Sequence, residues 1–262
     1  MSSSANQHPD VSPNELPFVA PCCKLDATAP VQWLILGWKD FKRAPRQSMT
    51  YGAVMMLLSY LVSIFAFEFD GFYSILFLIS AFLLLGPIIA IGLYSISCQL
   101  QEGNVPVLGY CLREGRRHIG NTGVFALMLM VVFLIWARAA SMLHVFYPMT
   151  AHPSLSHYVV FLVFGTSVGA LFSFIIFTAS AFSLPMIMDR KVDTITAVIT
   201  SVNAVLRNKK AMFVWAFFIF LSVVLSVLTA FIGLIVFLPV IGHATWHAYQ
   251  QTIDARQWPR HE

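Results

Sequence analysis

Residues 211–249 read AMFVWAFFIFLSVVLSVLTAFIGLIVFLPVIGHATWHAY, and no Asp, Glu, Lys or Arg interrupts them. A run of this length and apolarity has no place on the surface of a water-soluble domain. A span needs roughly 20 mainly apolar residues, so the stretch is long enough for two helices, with Thr229 to Gly233 as the candidate turn. A single long tilted helix is the competing reading. Directly before it stand Arg207, Lys209 and Lys210, a basic cluster at the edge of the apolar region.

The same pattern recurs upstream. Apolar runs cover 51–67, 72–97, 121–147 and 158–188, which with 211–230 and 231–249 makes six expected spans. Of the 262 residues 58% are hydrophobic and only 11% charged, and the mean hydropathy is +0.75. That is too little charge to cover a soluble fold of this size. The expected fold is therefore an all-α, polytopic membrane bundle of six transmembrane helices. Residues 1–29 are polar and rich in Pro and Ser and read as a disordered cytoplasmic tail. Residues 30–250 form the membrane domain and 251–262 a second cytoplasmic tail.

Charge sets the orientation. Of the 16 Lys and Arg residues, 15 fall before the first span, in alternate loops or in the tails, all on one side of this topology. The exception, Arg138, lies inside an expected span. The positive-inside rule then puts both termini in the cytoplasm. Attraction to anionic headgroups accounts for the net charge of +4 without a nucleic-acid partner. The partners expected are the lipid bilayer and other membrane subunits or further copies of the chain.

Short amphipathic stretches precede the expected hairpins. The clearest joins Ile195, Val198, Ile199, Val202, Val205 and Leu206, with Thr196, Thr200 and Asn203 opposite. A second runs from Leu108 through Cys111 and Leu112 to Ile119, and a weaker one holds Val31, Leu34, Ile35, Trp38 and Phe41. Each suits a helix lying in the membrane interface. The second helix of each hairpin carries a proline, Pro87, Pro185 or Pro239, which removes one backbone bond and can kink the helix. Three repeats of one hairpin unit follow as an expectation.

Few residues carry chemistry. His243 and His247, four apart, share a helix face and could hold a metal or a haem, or pass protons. They equally fit a wetted, hydrogen-bonded position beside Trp246 and Tyr249 at the membrane boundary. Asp189 and Tyr94 could join them around a cytoplasmic-side cavity. Arg138 lies near the outer boundary, level with Glu68 and Asp70, and an outer-side ion pair is expected there. Met142, His144, Met149, His152 and His157 form an outer soft-ligand set that would suit copper. All four cysteines, Cys22, Cys23, Cys98 and Cys111, fall on the cytoplasmic side and are expected reduced. Gly165 and Gly169 give a close-approach face for another helix. No P-loop, dinucleotide fingerprint or Gly-x-Ser-x-Gly is present, so no enzyme constellation and no cofactor is specified.

The motifs Gly37-Trp38-Lys39-Asp40, Gly86-Pro87, Gly92-Leu93-Tyr94, Leu184-Pro185 with Asp189-Arg190, and Pro239 followed by GHATWHAY resemble a bacterial family of predicted integral membrane proteins. Some members of that family carry a cytochrome c oxidase subunit label. The resemblance spans residues 30–249, implies a Gram-negative inner-membrane location, and supplies no catalytic residues. The chain shows no set of histidines deep in several spans, as a haem–copper core would need. Three functions follow as expectations: a non-enzymatic accessory or scaffold subunit of a membrane complex, a small transporter or channel, and metal or haem handling through His243 and His247.

Overall fold

The structure, a computed structural model, describes residues 17–68, 72–117, 119–142 and 155–261. The described regular structure is helical: α1 (Ala29–Arg43), α2 (Pro45–Glu68), α3 (Phe72–Gln101), α4 (Leu108–Arg117), α5 (Ile119–Met142), α6 (Leu155–Ser180), α7 (Ser183–Asp189), α8 (Thr194–Arg207), α9 (Lys209–Leu228) and α10 (Leu234–Thr252).

Four helical segments, not six, are long and apolar enough to cross a membrane among the described residues: Pro45–Phe65, Ile119–Met142, Tyr158–Asp189 and Lys209–Leu228. The expected sixth span fails for a physical reason. In α10 the first half is the apolar one, and from His243 onward His243, Thr245 and Thr252 are buried against protein while Gln250 and Gln251 are exposed. Its apolar character reflects burial against α1, α2 and α3 as much as lipid. The expected second span falls in α3, which runs unbroken over 30 residues, but its side chains over 72–85 lie outside the described set. Three equivalent hairpins are lost with the count of six, because α10 sits at the packing centre while its partner α9 exposes Phe213, Phe217, Phe220 and Leu228. The connection between α9 and α10 holds Ala230 (φ 49°) and Phe231 (φ 65°) in the left-handed region. Tyr60 pins that turn, donating its hydroxyl to the Ala230 carbonyl and meeting the Phe231 ring edge-on.

Glycine lets α10 come close to its neighbours. A Cβ on Gly37 would lie 2.6 Å from the Val240 carbonyl oxygen and 2.7 Å from the Ala244 nitrogen. A Cβ on Gly52 would meet the Ile235 backbone at 2.6 Å. Trp33 of α1 is fully buried and meets Trp215 of α9 edge-on, centroids 5.5 Å apart.

Pro87 and Pro239 lie inside helices that continue past them. Around Pro185 the helix breaks instead, between Ser180 and Ser183. Ser201 fills the gap. Its hydroxyl donates to the Thr178 carbonyl (2.7 Å) and accepts from the Phe182 amide (3.1 Å), two groups that an unbroken helix would join directly.

Helix α8 is inverted relative to a soluble amphipathic helix. Its small and polar face (Ala197, Thr200, Ser201, Ala204) is buried, while Ile195, Ile199 and Leu206 are exposed. That is what an apolar solvent on the outside selects. Asp193 caps it, accepting from the Thr196 amide at 2.9 Å. Asp193→Ala is expected to cost about 1 kcal/mol, read as a small drop in thermal midpoint in detergent.

The composition of residues 1–29 suggests a free tail, but from Ala20 the chain is held against the body. The Ala20 amide donates to Thr200 Oγ1 (3.1 Å), Leu25 to Asn208 Oδ1 (2.9 Å) and Cys23 to the Thr252 carbonyl (2.8 Å). The C-terminal segment returns over the same face, where the Lys191 amide donates to the Pro259 carbonyl at 2.9 Å and Trp258 is buried.

Candidate functional site

Helix α10 carries both histidines that the sequence singles out as a pair, and the fold arranges them as two rungs one helical turn apart. On the first rung His243 is fully buried. Its Nε2 lies 2.9 Å from Ser48 Oγ on α2 and its Nδ1 lies 2.8 Å from Ser97 Oγ on α3. One nitrogen donates and the other accepts, so a single neutral imidazole satisfies both hydroxyls.

On the second rung His247 Nε2 lies 2.8 Å from Asp40 Oδ2 on α1, and its Nδ1 lies 3.2 Å from Gln101 Nε2 on α3. The proton positions follow from the partners. The Trp246 indole can only donate, and it donates to Gln101 Oε1 at 3.0 Å. The Gln101 amide nitrogen therefore points at His247 Nδ1, which must accept. The His247 proton sits on Nε2 and is donated to the Asp40 carboxylate.

Below these rungs Gln251 accepts from the Trp33 indole. Tyr249, on another side of α10, donates its hydroxyl to Asp189 Oδ2 at 2.8 Å. Asp189 also accepts from Arg190 Nε at 2.8 Å and has Arg260 Nε at 3.6 Å. A cavity of about 360 Å³ opens there, lined by Asp189, Tyr249, Arg190, Arg256, Arg260 and Cys23 among others.

Burial holds the His243 imidazole well below its ordinary range, at about 4, against a smaller upward pull from Asp40. In the unfolded chain the group titrates near 6.5. Between those values the unfolded chain binds a proton that the folded chain does not, so stability falls as pH drops from roughly 6.5 toward 4 and is fully present above. Thermal midpoints measured from pH 7.5 to pH 5 should fall for the wild type and fall less for His243→Gln. Equal slopes would refute the assignment.

The other expected sites fare differently. Tyr94 of α3 is buried in the core and, among the described residues, makes no hydrogen bond to either histidine. Arg138 and Met142 are exposed on α5, and among the described residues no ion pair joins Arg138 to Glu68. Asp70, His144, Met149 and His152 lie outside the described residues, as does the side chain of His157. Among the described residues no group of three or more His, Cys, Asp or Glu could hold a metal ion. Both ring nitrogens of both α10 histidines are already engaged.

Sequence reasoning missed Ser48, Ser97 and Gln101, and met Asp40 only as part of a motif. The signal was present as spacing. Ser97 and Gln101 are four apart in α3, as His243 and His247 are in α10, so two helices side by side match rung to rung.

Residues 75–189 match a family model described as "Predicted integral membrane protein (DUF2189)". The family resemblance expected from the sequence is borne out over these residues. The matched segment runs through α3 to α7, less than half of the chain, and contains Ser97, Gln101 and Asp189. Their partners on α10 lie outside it, as do Ser48 and Asp40, which bond the same histidines from α2 and α1. No curated protein and no solved structure matches the chain.

Proposed function

We propose that this multi-pass membrane protein is a non-enzymatic scaffold subunit of a bacterial inner-membrane complex. The observation that carries the reading is where its polar groups are used. Ser48, Ser97, Asp40 and Gln101 bond the two α10 histidines, and Asp189 bonds Tyr249, so these groups are spent on holding helices together. Outside that set, no residue in the most apolar window of α6 is fully buried, and Leu162, Val163 and Leu171 stand well exposed. Gly165 and Gly169 have nothing near the position a Cβ would take, so a second helix can approach the backbone there.

Both termini face the cytoplasm in this reading. Support comes from the 15 basic residues on one side of the expected topology and from the bond between the Cys23 amide and the Thr252 carbonyl, which keeps the two ends together. A green fluorescent protein fused to the C-terminus should fluoresce, and an alkaline phosphatase fused there should stay inactive. The opposite pair of results would reverse the orientation.

The scaffold role is tested by extracting native membranes into polymer nanodiscs and cross-linking. A defined co-purifying membrane subunit is expected. Gly165→Leu with Gly169→Leu should lose it while the thermal midpoint stays unchanged. Recovery of a lone monomer from intact membranes, with and without cross-linker, would end this reading.

A further inference from the structure

Helix α1 presents two kinds of side chain outward. Val31, Ile35, Leu36 and Trp38 are exposed although apolar, and Lys39, Lys42 and Arg43 follow at the end that leads into the span Pro45–Phe65. An outward face of this composition belongs at the level where acyl chains meet headgroups. At that end the three cations rim a cavity of about 400 Å³, with Leu36 as an apolar wall and Gln101 and His247 among the other lining groups. Asp40 also lines it, but its Oδ2 is taken by the His247 proton. Three cations against one carboxylate leave an excess of two positive charges.

We propose that this cavity binds the phosphodiester of an anionic phospholipid, with Lys39, Lys42 and Arg43 around the phosphate and Leu36 against the glycerol and first acyl carbons. Arg43 can meet two phosphate oxygens at once, and the lysines add point charges. A free phosphate would use the same cations, but it would gain nothing from the apolar strip of α1 or from the span entering the bilayer beside the cavity. Those two features favour the lipid as the source.

The test uses the purified full chain in a neutral detergent, titrated with phosphatidylglycerol, with phosphatidylcholine or with inorganic phosphate, and followed by thermal midpoint and by native mass spectrometry of retained lipid. Phosphatidylglycerol should raise the midpoint and persist as an adduct, and phosphatidylcholine should do neither. Lys39→Gln and Lys42→Gln replace exposed side chains that the fold does not use. Each should weaken phosphatidylglycerol binding about five-fold, while Arg113→Gln with Arg116→Gln on α4 should leave it unchanged. Undiminished binding in the double variant Lys39→Gln/Lys42→Gln overturns the site. An equal loss in the α4 variant overturns it too, since the response would then report the basic surface as a whole. Inorganic phosphate reproducing the shift at the same concentration overturns the lipid as the ligand.

Discussion

Gly37→Ala is expected to destabilise the protein by about 3 kcal/mol, at the upper end of ordinary overpacking effects. One methyl group does this because of what it meets. The new Cβ would sit 2.6 Å from the Val240 carbonyl oxygen and 2.7 Å from the Ala244 nitrogen, both backbone atoms of α10. No rotamer change can clear a backbone clash, so α1 must move away from α10 as a unit. The shift would stretch the bond from Asp40 to His247 and the one from Trp33 to Gln251, which lie on either side of Gly37 along α1. Gly86→Ala is the matched control. It adds the same methyl inside a helix with nothing within 4 Å of the new atom, and alanine's better helix propensity should leave stability equal or higher. Thermal unfolding in detergent, followed by tryptophan fluorescence, separates the two. If Gly37→Ala unfolds at the same temperature as Gly86→Ala, α1 does not lie on α10 as described.

Much of this architecture is legible in the sequence, and the parts that are not share a cause. Apolar runs bounded by basic clusters locate α2, α5, α6 and α9, because lipid contact selects predominantly apolar outward residues. Hydropathy cannot tell a helix solvated by lipid from one solvated by protein. That is why α10 reads as a span although its second half is buried against α1, α2 and α3. The break between α6 and α7 is legible only in part. Pro185 marks the neighbourhood, but the hydroxyl that patches it comes from Ser201, on a different helix. The histidine pair stands out by type and spacing, whereas its partners do not, since a serine in an apolar helix usually bonds back to its own turn. Ser59 and Ser63 do so, to the Met55 and Ser59 carbonyls. Only the packing of α3 and α2 against α10 turns Ser97 and Ser48 toward His243 instead.

Removing the Asp189 carboxylate should have the second large effect, and it should be seen in two places. Asp189 is the last residue of α7, where the unpaired carbonyls of the helix end disfavour a negative charge. It remains there because Arg190 Nε lies at 2.8 Å and the Tyr249 hydroxyl donates to it from α10. In Asp189→Ala the Tyr249 hydroxyl, on a residue only 2% exposed, loses its acceptor, and the Arg190 guanidinium loses its counter-charge. Breaking a buried pair from one side costs roughly 3–5 kcal/mol. The partial exposure of Arg190 places the expected loss toward the lower figure. Asp189→Asn keeps an oxygen for Tyr249 and should lose less, and Tyr249→Phe removes the donor with the acceptor still served by Arg190, so it should lose least. The second effect is on the C-terminal segment. Arg190 also donates to the Trp258 carbonyl at 2.9 Å, and the Lys191 amide donates to Pro259, so this corner fastens residues 258–261 to the body. With the carboxylate gone, trypsin should cut after Arg256 and Arg260 faster at temperatures where the helices are still folded. A variant that loses thermal stability with an unchanged rate of tail cleavage would mean that Asp189 holds α10 to α7 but not the tail to either.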